Sequence, residues 1–415
     1  MVEDNSIGEE IDTTSPETAV LSLITVVKRI FCEALFPLHW NVQYSEDEFL
    51  TFLMHAARHK GSTYDTYFGS SFERETSPSS DTVLYHLHNL DIETVDKLYR
   101  RANENLLEFA QKNGLFRSSR VQLAVDFLTK AYYGEEDNQW VWKKELGNNR
   151  VHVYRWMTVS FVDKDQKYVI CVRPVPVSVS IGEILTSTLT YVYDLCKICD
   201  SVIFLDGEFE NAESIRALQD FCKPRNSYWL APVQDIPTAR LMGKDVHDFA
   251  MQNEKGDVSF IVAMAHNGKG GLHPFATNLC VKTEDEFYDN DSEKLTSTGK
   301  GDLFFGALLP DDLYNIYRGW QIEPAFKRLK HPFLIATSSA YMPARDYLVR
   351  FAALYCFAWM VFNALLLREF GPSYWLTDHA FERLLYCGIP HRLEYCFTKA
   401  PKNVEAFPVH REPEK

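Results

Sequence analysis

Between about Thr18 and Asn113 the apolar positions recur at helical spacing. "AVLSLITVVKRIFCEAL" predicts one helix. "DEFLTFLMHAARHKG" predicts a second, with Asp47 as its cap and Gly61 as its stop. A Ser-rich polar link, "GSSFERETSPSS", leads into "SDTVLYHLHNLDIETVDKLYRRANENLLEFAQKNG". Short helices joined by polar turns fit a helix-turn-helix-like module, and "SPSSDTVLYHLHNL" has the capped start of a recognition helix. A plain helical bundle accounts for the same pattern. Near Arg120 the period changes. "VQLAVDF", "NRVHVYRWMTVSFVD" and "QKYVICVRPVPVSV" read as strands. A helix over 182–199 follows, then the strand "SVIFLDGEF", the helix "NAESIRALQDFCK" and the strand "NSYWLAPV". Three strands, then a helix, strand, helix and strand, describe an α/β mixed sheet with flanking helices. After Pro232 the pattern breaks into an insertion holding strand-like "GDVSFIVAMAH" and "HPFATNLCVKT" and the acidic loop "EDEFYDNDSEKLTSTGKGD". Helical pattern returns in "PDDLYNIYRGWQIEPAFKRLK" and over 345–370.

Composition narrows the class. The chain has 415 residues, 46% hydrophobic and 24% charged, as expected of a globular protein of two or three domains. Its net charge of −14 argues against a surface coated with nucleic acid and leaves room for a local basic groove. The polar, acidic N-terminus is no signal peptide, and nine scattered cysteines fit free thiols in a reducing cytoplasm. "CKIC" has no second ligand pair at a comparable spacing, so it does not read as a zinc site. The glycines of "NGKGGLHP" and "TGKGD" lack phosphate-loop spacing and read as turns. The apolar run 351–367, "FAALYCFAWMVFNALLL", is short for a bilayer core and is interrupted by Asn363. It reads as a helix buried on all sides, with a membrane span as the rival.

Two acids stand out. Asp206 ends the apolar run of "SVIFLDGEF", and Asp126 follows that of "VQLAVDF". If those strands are neighbours, the carboxylates meet. Such a pair is repulsive unless a cation lies between, and an all-oxygen ligand set suits Mg²⁺. A third acid, Glu323, sits in "YRGWQIEPAFKRLK" among Arg318, Lys327, Arg328 and Lys330. A carboxylate with basic residues near it suits a metal-dependent phosphodiester enzyme, whereas taken alone it suits a surface helix of mixed charge.

With their surroundings these acids resemble the DDE transposases of insertion sequences, in the insertion-sequence-four superfamily and most of all its haloarchaeal-type branch. "AVDFLTKAYYG" resembles the first-acid motif, with Tyr132, Tyr133 and Gly134 after the Asp. "FLDGEFENAESIRALQ" resembles the second and "YRGWQIEPAFKRLK" the third, where Lys330 follows the Glu by seven residues. The similarity runs over roughly residues 80 to 370. It implies a ribonuclease H-like fold with a β-rich insertion between the second Asp and the Glu. The 117 residues separating Asp206 from Glu323, against 80 between Asp126 and Asp206, leave room for one. It also makes the run 351–367 a core helix. The chain departs from the family where Gly207 and Glu208 follow Asp206 in place of Arg and Gly. It departs again where Tyr317 and Arg318 lie six and five residues before Glu323 instead of seven and four, with Gly319 at the usual Arg position.

The expected organisation is a disordered tail (1–18), an all-helical DNA-binding domain (19–115), a first core segment (116–232), a β-rich insertion (233–310), a second core segment (311–372) and a C-terminal tail (373–415). The resemblance implies that Asp126, Asp206 and Glu323 are catalytic and hold two Mg²⁺ ions, with Mn²⁺ as a substitute. Tyr317, Arg318, Trp320, Lys327 and Lys330 would contact DNA. Partners would be double-stranded DNA, as terminal inverted repeats and target, and a second copy of the chain in the DNA complex, with no membrane. The alternative is a descendant that binds DNA and no longer cuts it.

Overall fold

The structure is a computed structural model. It describes residues 11–36, 43–59, 77–116, 120–132, 138–146, 149–163, 166–233, 246–253, 256–266, 271–281, 308–319, 335–337, 339–387 and 396–401. The chain divides into two compact units, one helical and one built on a sheet.

The helical unit holds α1 (Pro16–Leu35), α2 (Glu46–His59), α3 (Ser80–His88) and α4 (Ile92–Lys112) with the long α8 (Met342–Phe370). Each N-terminal helix starts at a polar cap. Ser15 accepts from Thr18 N, Ser79 from Thr82 N and Asp91 from Thr94 N. For α2 the cap is Ser45 rather than the expected Asp47. Ser45 Oγ accepts from the Glu48 amide, while the Glu48 carboxylate accepts from the Ser45 amide at 2.6 Å, a reciprocal capping box. Asp47 pairs instead with Lys28 at 2.9 Å.

Every residue of α8 from Met342 to Leu367 is buried. A helix that is apolar all round needs cover on every side. α1 and α4, each with one apolar face, supply part of it. Polar ties fix the packing: Tyr99 Oη donates to the Tyr347 carbonyl at 2.8 Å, and Arg350 meets Asp96 at 2.7 Å and Asp346 at 3.0 Å. The helix is long and apolar enough to cross a membrane, but here protein buries it, as the sequence expectation favoured. After it come β10 (Trp375–Leu376), α9 (Asp378–Cys387) and β11 (Phe397–Thr398), so the segment expected as a tail carries regular structure.

The other unit is built on a nine-stranded sheet. Its strands are β1 (Arg120–Tyr132), β2 (Val141–Leu146), β3 (Asn149–Asp163), β4 (Gln166–Pro174), β5 (Asp200–Leu205), β6 (Tyr228–Pro232), β7 (Val246–Asn253), β8 (Gly256–His266) and β9 (Leu272–Thr277). Residues 168–172 of β4 divide with the helical unit. The order is β2-β3-β1-β5-β6-β9-β8-β7, with β4 also paired to β3. β3 runs antiparallel to β1, while β5 and β6 are parallel to it in turn. Parallel neighbours need crossovers, supplied by α5 (Ile181–Cys196) before β5 and α6 (Ala212–Cys222) before β6. At Gly182 an added Cβ would lie 3.2 Å from Ala217 Cβ, so the close approach of α5 and α6 depends on its missing side chain. This is the mixed α/β, ribonuclease H-like sheet with flanking helices that the sequence implies. The insertion segment adds β7, β8 and β9 to the same sheet, antiparallel from β6 outward. The segments 19–115 and 311–372 both contribute to the helical unit, through α1–α4 and α8.

One face of this sheet carries a core of Ala124, Val162, Val202, Phe204, Leu230, Ala263, Ala265 and Phe275. It is covered by α7 (Pro310–Gly319) through Leu313, Tyr314, Ile316 and Tyr317.

Candidate active site

Parity in a strand places the acids. Ala124 and Asp126 are two apart on β1 and share a face; Phe204 and Asp206 are related in the same way at the end of β5. Ala124 and Phe204 both belong to the core under α7, so both carboxylates project on the face that α7 covers. The β1–β5 register runs from Arg120↔Asp200 to Val125↔Leu205, and the Asp206 amide donates to the Val125 carbonyl at 3.3 Å. The next pair in register is Asp126 with Asp206. The two acids therefore stand side by side on adjacent strands.

Asp126 is not at the end of its strand. β1 runs on to Tyr132 against β3, whereas its pairing with β5 stops one residue short of Asp126. The sheet opens there because the chain leaves β5 at Asp206 into a short 3₁₀ turn, Gly207–Phe209. Asp206 makes no side-chain cap bond to that turn. Asp126 is held more closely: one carboxylate oxygen accepts from the Phe127 amide at 2.5 Å, and its carbonyl accepts from Thr158 Oγ1 at 3.0 Å. Both acids are half-buried.

Tyr317, near the end of α7, packs its ring on Phe275 with centroids 5.1 Å apart. Burial pushes its phenol well above the ordinary value, and the negative charges of Asp206 and then Asp126 push it further. The end of α7 therefore lies over the acid pair. The residue expected to touch DNA is half-buried, its ring packed against the core, and it feels both carboxylates.

Arg318 is on the last turn of α7, with its side chain outside the described residues. Trp320, Glu323, Lys327 and Lys330 also lie outside them. Among the described residues no three His, Cys, Asp or Glu side chains gather closely enough to hold a metal ion. The described part of the site offers two oxygen ligands, a donor set that suits Mg²⁺ once further oxygens join it.

A second cluster flanks the pair and was missed in the sequence. Glu208, two residues past Asp206, is bridged by Lys144 Nζ at 2.6 Å and by Arg155 Nη2. The Arg155 guanidinium lies 3.9 Å over the Phe127 ring and 5.0 Å from that of Trp142. Phe127 in turn stacks on Phe209, 4.6 Å apart and 10° from parallel. Burial lowers the Arg155 pKa, and the charges of Glu208 and then Asp126 offset part of that. These contacts join residues 64 and 53 apart in sequence, which no local pattern reveals.

No protein-family model matches the chain, and no curated protein does. Its structure is similar to a chain in the cryo-EM structure of a piggyBac transposase synaptic complex with hairpin DNA, with a TM-score of 0.50 and 12% sequence identity. The match covers 94% of this chain and 82% of that one. At that identity the likeness establishes a shared fold.

Proposed function

We propose that this chain is a metal-dependent DNA transposase of the DDE type, cutting the ends of an insertion sequence and joining them to target DNA. The observation that carries the reading is the register setting Asp126 beside Asp206 under the end of α7, from which Glu323 follows four residues on. The shared fold with a chain from a transposase–DNA complex supports it. The finer placement, in the insertion-sequence-four superfamily and its haloarchaeal-type branch, rests on the three motifs alone.

In this reading Asp126, Asp206 and Glu323 hold two Mg²⁺ ions. Bound there, the ions supply activation of a water or a 3′-hydroxyl for in-line attack and stabilisation of the leaving oxygen. The chain's own part is positioning. The Phe127 amide and the Thr158 hydroxyl fix the Asp126 side chain and backbone. The half-buried Tyr317 keeps its proton beside the pair. Arg318, Lys327 and Lys330 take phosphates near the cut and Trp320 stacks on an exposed base. Two copies act together on paired ends, in the cytoplasm.

The test is Mg²⁺-dependent cleavage of DNA carrying the sequences that flank this gene, with wild type and Asp206→Ala side by side. Cuts at the element ends by wild type only are the expected result. A folded wild type that binds this DNA and never cuts it would overturn the enzymatic reading and leave a DNA-binding descendant.

A further inference from the structure

The turn that carries Asp206 toward α7 sends Glu208 to the opposite side of the sheet. Lys144 of β2 and Arg155 of β3 share that side with Phe127, since Trp142 pairs with Val153 and Arg155 with Thr129. One Glu208 oxygen meets Lys144 Nζ and the other meets Arg155 Nη2. A single anion thus spans two cations through two oxygens, a geometry that a phosphate reproduces.

Three features mark the cluster as built for an anion larger than this carboxylate. Its own members are two cations against one acid, with the Asp126 charge also acting on Arg155. Arg155 is fixed, its guanidinium against Phe127 and its side chain only 13% exposed. Its Nε is buried and has no hydrogen-bond partner among the described residues, a donor that Glu208 leaves unused. Glu208 itself is 36% exposed, so moving it into water costs little.

We propose that Lys144 and Arg155 form a binding site for a phosphate of the DNA backbone beside Asp206, which Glu208 occupies in the DNA-free chain and leaves when DNA enters. The proposal rests on the transposase reading. In it Glu208 is a built-in competitor that weakens DNA binding next to the acid pair.

The experiment measures binding of a 30-base-pair duplex across a salt series by wild type, Glu208→Gln and Lys144→Gln, with thermal unfolding of each in parallel. Glu208→Gln removes the competitor while keeping the same phosphate contacts, so it binds several-fold tighter at every salt concentration, with the log–log salt slope of wild type. Lys144→Gln loses a phosphate contact, so it binds several-fold more weakly with a slope shallower by about one. Folded variants that bind as wild type does would overturn this site and leave the transposase reading standing. A wild type that binds no duplex at any salt would overturn both. Should Glu208→Gln fail to fold, Lys144→Gln on a partly exposed strand residue still decides the matter.

Discussion

Two like charges on neighbouring strands make a prediction about stability whose sign separates a metal site from a structural one. Adjacent strands lie about 4.8 Å apart, and Asp126 and Asp206 are next in register on one face, so their carboxylates stand about 5 Å apart. At an effective dielectric of about 20 that repulsion is about 3 kcal/mol, and half-exposure reduces it to about 1–2 kcal/mol. Asp206→Asn keeps the shape and removes the repulsion. In EDTA it should be more stable than wild type by about 1–2 kcal/mol in urea unfolding. Mg²⁺ at a hundredfold above its dissociation constant should then stabilise wild type by about 2.7 kcal/mol and the variant by much less. The two curves should therefore cross as Mg²⁺ is added. If Asp206→Asn is the less stable protein in EDTA and Mg²⁺ moves both equally, the Asp206 carboxylate is held by protein hydrogen bonds and the metal-site reading is refuted.

Three further outcomes follow from the packing. Phe204 is fully buried at the centre of the face under α7, so Phe204→Ala should cost about 3–5 kcal/mol in urea unfolding of the sheet unit. Arg350→Met leaves the fully buried Asp346 without its cation and should cost about 3–5 kcal/mol, most of it recovered by adding Asp346→Leu; no recovery would show that the pair is not the origin of the loss. Burial pushes the Cys222 thiol up to about 12, with Arg225 pulling back slightly, against 9.0 for an exposed thiol. The neutral folded thiol contributes its stability in full below pH 9, and loses it as pH rises toward 12, by up to about 1.4 kcal/mol per pH unit. Urea curves between pH 8 and 11 should thus fall less steeply for Cys222→Ala than for wild type.

The fold was legible where one residue's surroundings are local. The caps of α1, α3 and α4 are set by residues within three positions, and so is the stop of β5 at Leu205. Asp47 has the residue type of a cap but already lies inside the first turn, whereas Ser45 stands one residue before it and accepts from the Glu48 amide. β7 carries His247, Asp248, Gln252 and Asn253 among its eight residues, so its apolar run is too thin to announce a strand; β8, paired along its whole length, imposes it. The length of β1 was hidden for the same reason. Pairing from Gln122↔Val162 to Tyr132↔His152 is a property of β3, not of the letters after Asp126. For α8, composition fits a bilayer or a core equally, and only the helices around it decide.

The site divides along the same line. Asp126 and Asp206 are each visible as a charge closing an apolar run, and their meeting needs only two strands to be neighbours. The Lys144–Glu208–Arg155 bridge has no such signal, because its three residues come from β2, a turn and β3 and look like ordinary surface charges in sequence. What was visible was a departure, an acid at position 208 where the resembling family differs. The structure gives that departure a physical context. β5 ends while β1 continues, and the chain must turn across the open edge of the sheet. Asp206 goes to the face under α7, and Phe209 stacks on Phe127 on the other face, which carries Glu208 with it. The two acids are therefore coupled by one buried glycine between them. Gly207 sits where the turn begins, and a substitution that shifted it would move the Asp206 and Glu208 carboxylates together. Changes at Glu208 alone leave Asp206 in register with β1, which is why the Glu208→Gln and Asp206→Asn experiments report on separate halves of one site.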